Sequence, residues 1–135
     1  MPTASERVAA SLEAVAERAG DPTPQVYARL FAEYPEMEAL FVRDTTGAVR
    51  GEMLAVAFAC LLDLGGSGAY AANLIAAERV NHEGVGVPPE VFARFFPIVM
   101  QTCRAILGTA WTQELDAAWA AVLAQIAELT VADGP

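Results

Sequence analysis

Apolar residues return every three or four positions along this chain and almost nowhere alternate with polar ones. That period marks amphipathic helices rather than strands. Val8, Leu12 and Val15 define the first, over Ser5 to Arg18, with Glu6, Glu13 and Glu17 elsewhere on the cylinder. Gly20-Asp21-Pro22-Thr23-Pro24 breaks it. Thr23 is then the expected N-cap, and Pro24 the expected first residue, of a second helix reaching about Glu33. Val26, Tyr27, Leu30 and Phe31 share one side of that helix, and Tyr34-Pro35 ends it, because a residue before proline avoids the α region. A short helical piece over Pro35 to Phe41 and a loop over Val42 to Val49 follow.

Arg50 to Leu64 reads as a strong helix whose stripe is Gly51, Leu54, Ala55, Phe58, Leu61 and Leu62. Gly65-Gly66-Ser67-Gly68 ends it as a flexible connector. Tyr70 to His82 is the next helix, anchored by Leu74 and Ile75. Pro89 to Leu107 follows, with Phe92, Phe95, Phe96, Val99, Cys103 and Ile106 inward and Gly108 just past its end. Thr112 caps a last helix whose inner face is Leu115, Trp119, Val122, Leu123, Ile126 and Leu129. Only Gly108 to Trp111 separate these two helices, so they form an antiparallel pair. The expectation is an all-α single domain over residues 1–135, of about six to eight helices, with its core over about 5–130 and a tail over Val131 to Pro135.

Composition narrows the function classes. The 135 residues are 55% apolar, and the mean hydropathy is +0.35. The longest uninterrupted apolar run, Met53 to Leu62, is ten residues, short of the 18 or so that a membrane span needs. It reads as a buried core helix. The N-terminus lacks a basic region followed by an apolar block, so a cytoplasmic location with no membrane attachment is expected. A net charge of −9 speaks against nucleic acid, whose binding rests on neutralising phosphates. All eight basic residues are Arg, which excludes lysine Schiff-base chemistry and phosphate loops built on Gly-Lys-Ser/Thr. Cys60 and Cys103 sit inside apolar helical runs and read as buried free thiols. With one His and no Cys-x-x-Cys pair, a tetrahedral zinc set is left short.

His82 is the only histidine. It closes an apolar helical run, a Gly-rich corner follows, and Pro88-Pro89-Glu90 opens the next helix. That placement suits a ligand holding one metal from one side. It equally suits a histidine capping a helix C-terminus, where a positive ring complements the dipole. Spacing alone leaves both readings open.

His82, Val87, Pro89-Glu90 and Phe92 are joined by Val26-Tyr27-Ala28-Arg29-Leu30-Phe31, Pro35-Glu36, Phe41, Leu107-Gly108, Trp111-Thr112 and Ala118-Trp119. No single piece is specific, but their order and separations resemble a globin over roughly Val8 to Leu129. The nearest resemblance is to the single-domain bacterial globins related to the haem domain of flavohaemoglobins. It implies a haem b (iron protoporphyrin IX) cofactor with His82 as proximal ligand through Nε2, the other ring nitrogen donating to a carbonyl or side chain. Phe41 would pack flat on the haem and Leu54 would lie above it, with Val87, Phe92 and Phe58 completing the apolar lining. Tyr27 would donate its hydroxyl to the bound gas, a hydrogen bond worth roughly 1.5–3 kcal/mol to a charged acceptor. Arg50, four residues before Leu54, would stand where a distal His or Gln is usual. There it swings towards the ligand, pairs with a haem propionate, or stays solvated. A register shifted by one puts Val49 there and Met53 over the haem; it is disfavoured because it turns Arg50 into the core.

Three departures qualify the resemblance. Flavohaemoglobins polarise the ligating histidine with a glutamate and a tyrosine. Here Phe92 and Leu123 stand where tyrosines would, and Val131 to Pro135 offers no glutamate, so peroxidase-like chemistry is not expected. No flavin- or nicotinamide-binding domain is present, so turnover implies an external reductase. Glu78 replaces an apolar haem contact, at a desolvation cost unless the helix bends to bring Val80 or Ala77 there. The leading expectation is reversible binding of O2, NO or CO by a monomer or homodimer, with nitric oxide dioxygenation conceivable beside a reductase. The alternatives are a gas-sensing or protein-interaction globin acting through a partner, and a haem-free globin fold binding an apolar ligand.

Overall fold

In the computed structural model, which describes residues 2–64 and 68–130, Thr3 starts the first helix, α1 (Ala4–Ala19). Its hydroxyl accepts the Glu6 amide at 3.1 Å, and the Glu6 carboxylate accepts the Thr3 amide at 3.3 Å. Two amides that no helical carbonyl can reach are thus satisfied reciprocally. The second helix, α2 (Thr23–Glu33), corrects the expectation that Thr23 is the N-cap. Thr23 is the first helical residue, and Asp21 accepts both its amide, at 3.0 Å, and its hydroxyl. These bonds hold the Asp21 carboxyl below its ordinary value.

A 3-10 helix (Pro35–Phe41) follows, then α3 (Ala48–Asp63), α4 (Ala69–Gly84), α5 (Pro89–Leu107), a 3-10 turn (Gly108–Ala110) and α6 (Gln113–Thr130). Among the described residues there is no strand, and the fold is all-α. Each expected helix forms. The main differences lie at ends: α3 starts two residues before Arg50, and α4 continues past His82 to Gly84. The Gly65-Gly66-Ser67 part of the expected connector and the Val131 to Pro135 tail lie outside the described residues.

α5 is the hub, packing against α1, α2, α4 and α6. It and the turn after it are long and apolar enough, by length and composition, to cross a membrane. Its buried face, Phe96, Ile98, Val99, Thr102, Cys103 and Leu107, lies in the core among these helices. Arg94 on α5 binds Glu33 on α2 through two bonds of 2.8 and 3.1 Å. The Gly108 corner, at φ 53°, turns the chain so that α6 runs back along α5 and lies against α1.

Trp119 on α6 is fully buried, and its indole N–H donates to Ser11 Oγ on α1 at 3.0 Å. Ser11 in turn donates to the Val8 carbonyl at 2.6 Å. A polar chain inside an otherwise apolar contact fixes how α1 and α6 register. Ser11→Ala leaves the indole unsatisfied, a cost of roughly 1–3 kcal/mol, part of which alanine's better helix propensity returns. The expected net loss is about 1 kcal/mol, read as a lower denaturant midpoint with an unchanged slope.

Candidate functional site

A cavity of about 230 Å³ lies between α2, the 3-10 helix, α3, α4 and α5. α2 contributes Tyr27 and Leu30, and the 3-10 helix contributes Met37, Leu40 and Phe41. α3 contributes Met53, Val56, Ala57 and Cys60; α4 contributes Tyr70, Leu74, Ile75, Glu78 and His82. Val87 and the α5 residues Val91, Phe92, Phe95 and Phe96 close the ring. The walls are almost wholly apolar, with a few polar groups converging on them, as small-molecule sites commonly are.

His82 sits in the last turn of α4, about one-fifth exposed. Its Nδ1 lies 2.7 Å from the Glu78 carbonyl, four residues earlier. A carbonyl only accepts, so Nδ1 carries a proton, which leaves Nε2 as the nitrogen able to ligate a metal. The Phe92 ring packs on the imidazole at 5.0 Å between centroids. The corner after α4 is pinned by the same residue: the His82 carbonyl accepts the Val85 amide at 3.1 Å and the Val87 amide at 2.8 Å, with Gly86 at φ 96° between them. Glycine suits that conformation, which other residues rarely adopt. The corner therefore holds Val87 on the cavity wall beside His82. A capping histidine and a metal ligand would share the Nδ1 bond; only the second uses Nε2, and His82 lies on the cavity wall.

Tyr27 is 2% exposed, and its hydroxyl is buried with no hydrogen-bond partner. Rings on three sides fix it: Phe41 at 5.4 Å, Phe95 at 5.7 Å and Phe31 at 5.8 Å. Burial pushes the phenol well above its ordinary value, against a smaller opposing effect of Arg50. Tyr27 thus keeps its proton at neutral pH and can donate it. A buried hydroxyl left unpaired costs roughly 1–3 kcal/mol, so its persistence points to a partner that arrives with a ligand.

Five of the expected site residues, His82, Tyr27, Phe41, Val87 and Phe92, come together on this cavity. Three do not. Leu54 is buried in the core without lining the cavity, and Phe58 packs partly buried against the core. The phase of α3 is the reason: Met53, Val56, Ala57 and Cys60, spaced i, i+3, i+4 and i+7, take the cavity side. Arg50 is the third. It is held by Asp44, with Nε 3.0 Å from Oδ2 and Nη2 donating to the Asp44 carbonyl at 2.8 Å. Neither register forms as expected: Met53 reaches the cavity wall, while Arg50 stays off it, held by Asp44. Val49, the alternative distal residue, is 52% exposed and off the cavity wall.

Asp44 also serves as a remote cap for α3. Its carboxylate accepts the Val49 amide at 3.1 Å and the Arg50 amide at 3.0 Å. Burial raises this carboxyl, but the two amides and the guanidinium more than offset it and hold it below the ordinary value. A depressed pKa stabilises the folded state above the unfolded value, near 3.9, and that contribution fades as pH falls through the lower folded value. The start of α3 is therefore expected to loosen only below about pH 4, seen as faster amide exchange at Val49 and Arg50. A second, more polar cavity, about 390 Å³, adjoins this region, with Thr23, Ala28, Phe31, Thr46 and Arg50 among its walls. It shares Tyr27 with the apolar one.

Cys60 and Val56 are among the wall residues that sequence reasoning missed. Both lie in the ten-residue apolar run of α3, whose periodicity gives no single stripe. Burial first, then the charges of Asp63 and Glu78, raise the Cys60 thiol; burial pushes Cys103 up to about 12. Both thus remain neutral thiols, poor metal ligands. Among the described residues no three His, Cys, Asp or Glu side chains gather as a metal cluster.

The molecule is thus a helical domain with an apolar cavity between its helices, one imidazole on the cavity wall and a buried hydroxyl on another helix. The chain matches the globin family model over residues 24–129, and it belongs to the globin family. Members of this family usually bind haem and, through it, diatomic gases. A comparison with curated proteins finds no match.

Proposed function

We propose that this globin binds haem b in the apolar cavity and takes up a diatomic gas, chiefly O2, reversibly. The donor set fits that group: a single imidazole with a free Nε2, walls that solvent does not favour, and a donor hydroxyl with nothing to bond. The orphaned Tyr27 hydroxyl carries the reading, because it is costly in the empty protein and useful once a polar ligand lies beside it. Haem supplies the ferrous iron at which the gas binds.

The chain's own residues do the rest. His82 offers Nε2, oriented by the Nδ1 bond to the Glu78 carbonyl. Phe41, Met53 and Leu74 keep water from the site, and Phe92 braces the imidazole ring. Tyr27 holds its proton and presents it to the negative end of a polarised ligand. The departures at Phe92 and Leu123 leave the relation to flavohaemoglobin haem domains as one of likeness in the Tyr27 and His82 positions. Consumption of nitric oxide with O2 to nitrate would additionally draw one electron per turnover from a separate reductase, in a cytoplasmic setting.

The test is haemin titration of the purified protein. The expected result is stoichiometric uptake, with a Soret band that shifts on reduction and again on adding carbon monoxide. A colourless protein that refuses haemin would favour the other occupant such walls suit, a fatty acid or similar apolar ligand.

A further inference from the structure

One charged side chain stands on the apolar cavity wall: Glu78. An acidic group among apolar residues is costly unless something nearby compensates it. The expected escape, a bend bringing Val80 or Ala77 to the wall, does not occur: Val80 is 63% exposed, and neither residue lines the cavity. Instead Glu78 lies one turn before His82 on the same face of α4, and its Oε2 is 3.5 Å from His82 Nδ1. The Nδ1 proton therefore sits between two acceptors of the same residue, the carbonyl at 2.7 Å and the carboxylate beyond it.

We propose that Glu78 is a positioning residue that makes His82 a stronger donor through Nε2, supplying from within the helix a negative charge on the Nδ1 side of this ring. The carbonyl alone fixes the tautomer. The carboxylate adds charge next to the Nδ1 proton, which draws that proton outwards and leaves more electron density at Nε2. On another side the imidazole meets Phe92, an apolar ring. Glu78 is about one-third exposed, so water screens part of the effect; an exposed pair of this kind would otherwise be worth little. Its place on the wall distinguishes it, since the charge also reaches across to raise the Cys60 thiol.

This inference rests on the haem reading, and the experiment separates the two. The full chain is loaded with haem, as the unaltered protein, as Glu78→Gln and as Glu78→Leu. Three quantities are read: the iron–histidine stretching frequency of the ferrous form, the ferric/ferrous midpoint potential, and the rate of haem loss to an excess acceptor. Glu78→Gln keeps the shape and removes the charge. It is expected to lower the stretching frequency, raise the midpoint potential and speed haem loss by about tenfold, the usual scale for an outer partner of a metal ligand. Glu78→Leu suits the apolar wall better and is expected to give the same spectroscopic and redox shifts while folding at least as stably. Frequencies and potentials unmoved in both variants would overturn the proposal and leave haem binding intact. An unaltered protein that takes up no haem would overturn both readings together.

Discussion

His82→Ala is expected to abolish the Soret band of the haem-loaded protein while leaving its helical content unchanged. The two halves of that expectation have separate physical grounds. His82 contributes little to the fold: it is partly exposed, and its side-chain bonds go only to Glu78 on its own helix. Its removal opens no large core cavity, so far-UV circular dichroism should not move. On the ligand side, no second imidazole exists to replace it. Cys60 is held as a neutral thiol, first by burial and then by the charges of Asp63 and Glu78. Burial likewise keeps Tyr27 a protonated phenol. Neither therefore presents the anion through which cysteine or tyrosine holds haem iron. The loss of haem affinity should exceed the roughly 10–100-fold that follows from removing a mere outer partner of a ligand. Free imidazole added to the variant should restore part of the absorbance, because the space it leaves adjoins the cavity. A band surviving at its original position would show that another atom holds the iron.

How far this site was readable before the fold depends on the helix concerned. α1 and α6 carry polar residues on one side and apolar ones on the other, so Val8, Val15, Trp119, Val122 and Ile126 announce the core directly. His82 was legible for a different reason: a lone histidine before a Gly-rich corner and a Pro-Pro start can only sit at a helix end. α3 was not legible in the same way. From Met53 to Leu62 every residue is apolar, so the stripe can be drawn in more than one phase. The structure gives the helix two buried directions, Met53, Ala57 and Cys60 towards the cavity and Leu54 and Leu61 into the core. What sets the phase is Asp44, six residues before Arg50 in the chain, which grips both the amide and the guanidinium of Arg50. With that pairing Arg50 stays off the apolar wall while Met53 reaches it, a combination that neither register drawn from the sequence contained. Glu78 was illegible on similar grounds: its cost as an isolated acid could be weighed, but its place 3.5 Å from the Nδ1 of His82, one helical turn on, could not.

Tyr27→Phe is expected to move stability and gas release in opposite senses, which makes it a sharp test of what the buried hydroxyl is for. Phenylalanine keeps the ring and its contacts with Phe31, Phe41 and Phe95, so packing is preserved. Removing a buried hydroxyl that has no partner relieves a desolvation cost of roughly 1–3 kcal/mol. The ligand-free variant should therefore unfold at higher denaturant than the unaltered protein. The gas-loaded protein loses a hydrogen bond to a partly negative ligand, worth about 1.5–3 kcal/mol. At about 1.4 kcal/mol per decade, O2 should leave about 10- to 100-fold faster. Carbon monoxide is a much weaker acceptor, and its release should change far less. The contrast between the two gases separates a hydrogen bond from a change in pocket shape, which would alter both. Should O2 release and stability both stay put, the hydroxyl has found its partner elsewhere, and the adjoining polar cavity at Thr23 and Arg50, which also borders Tyr27, is where that partner would lie.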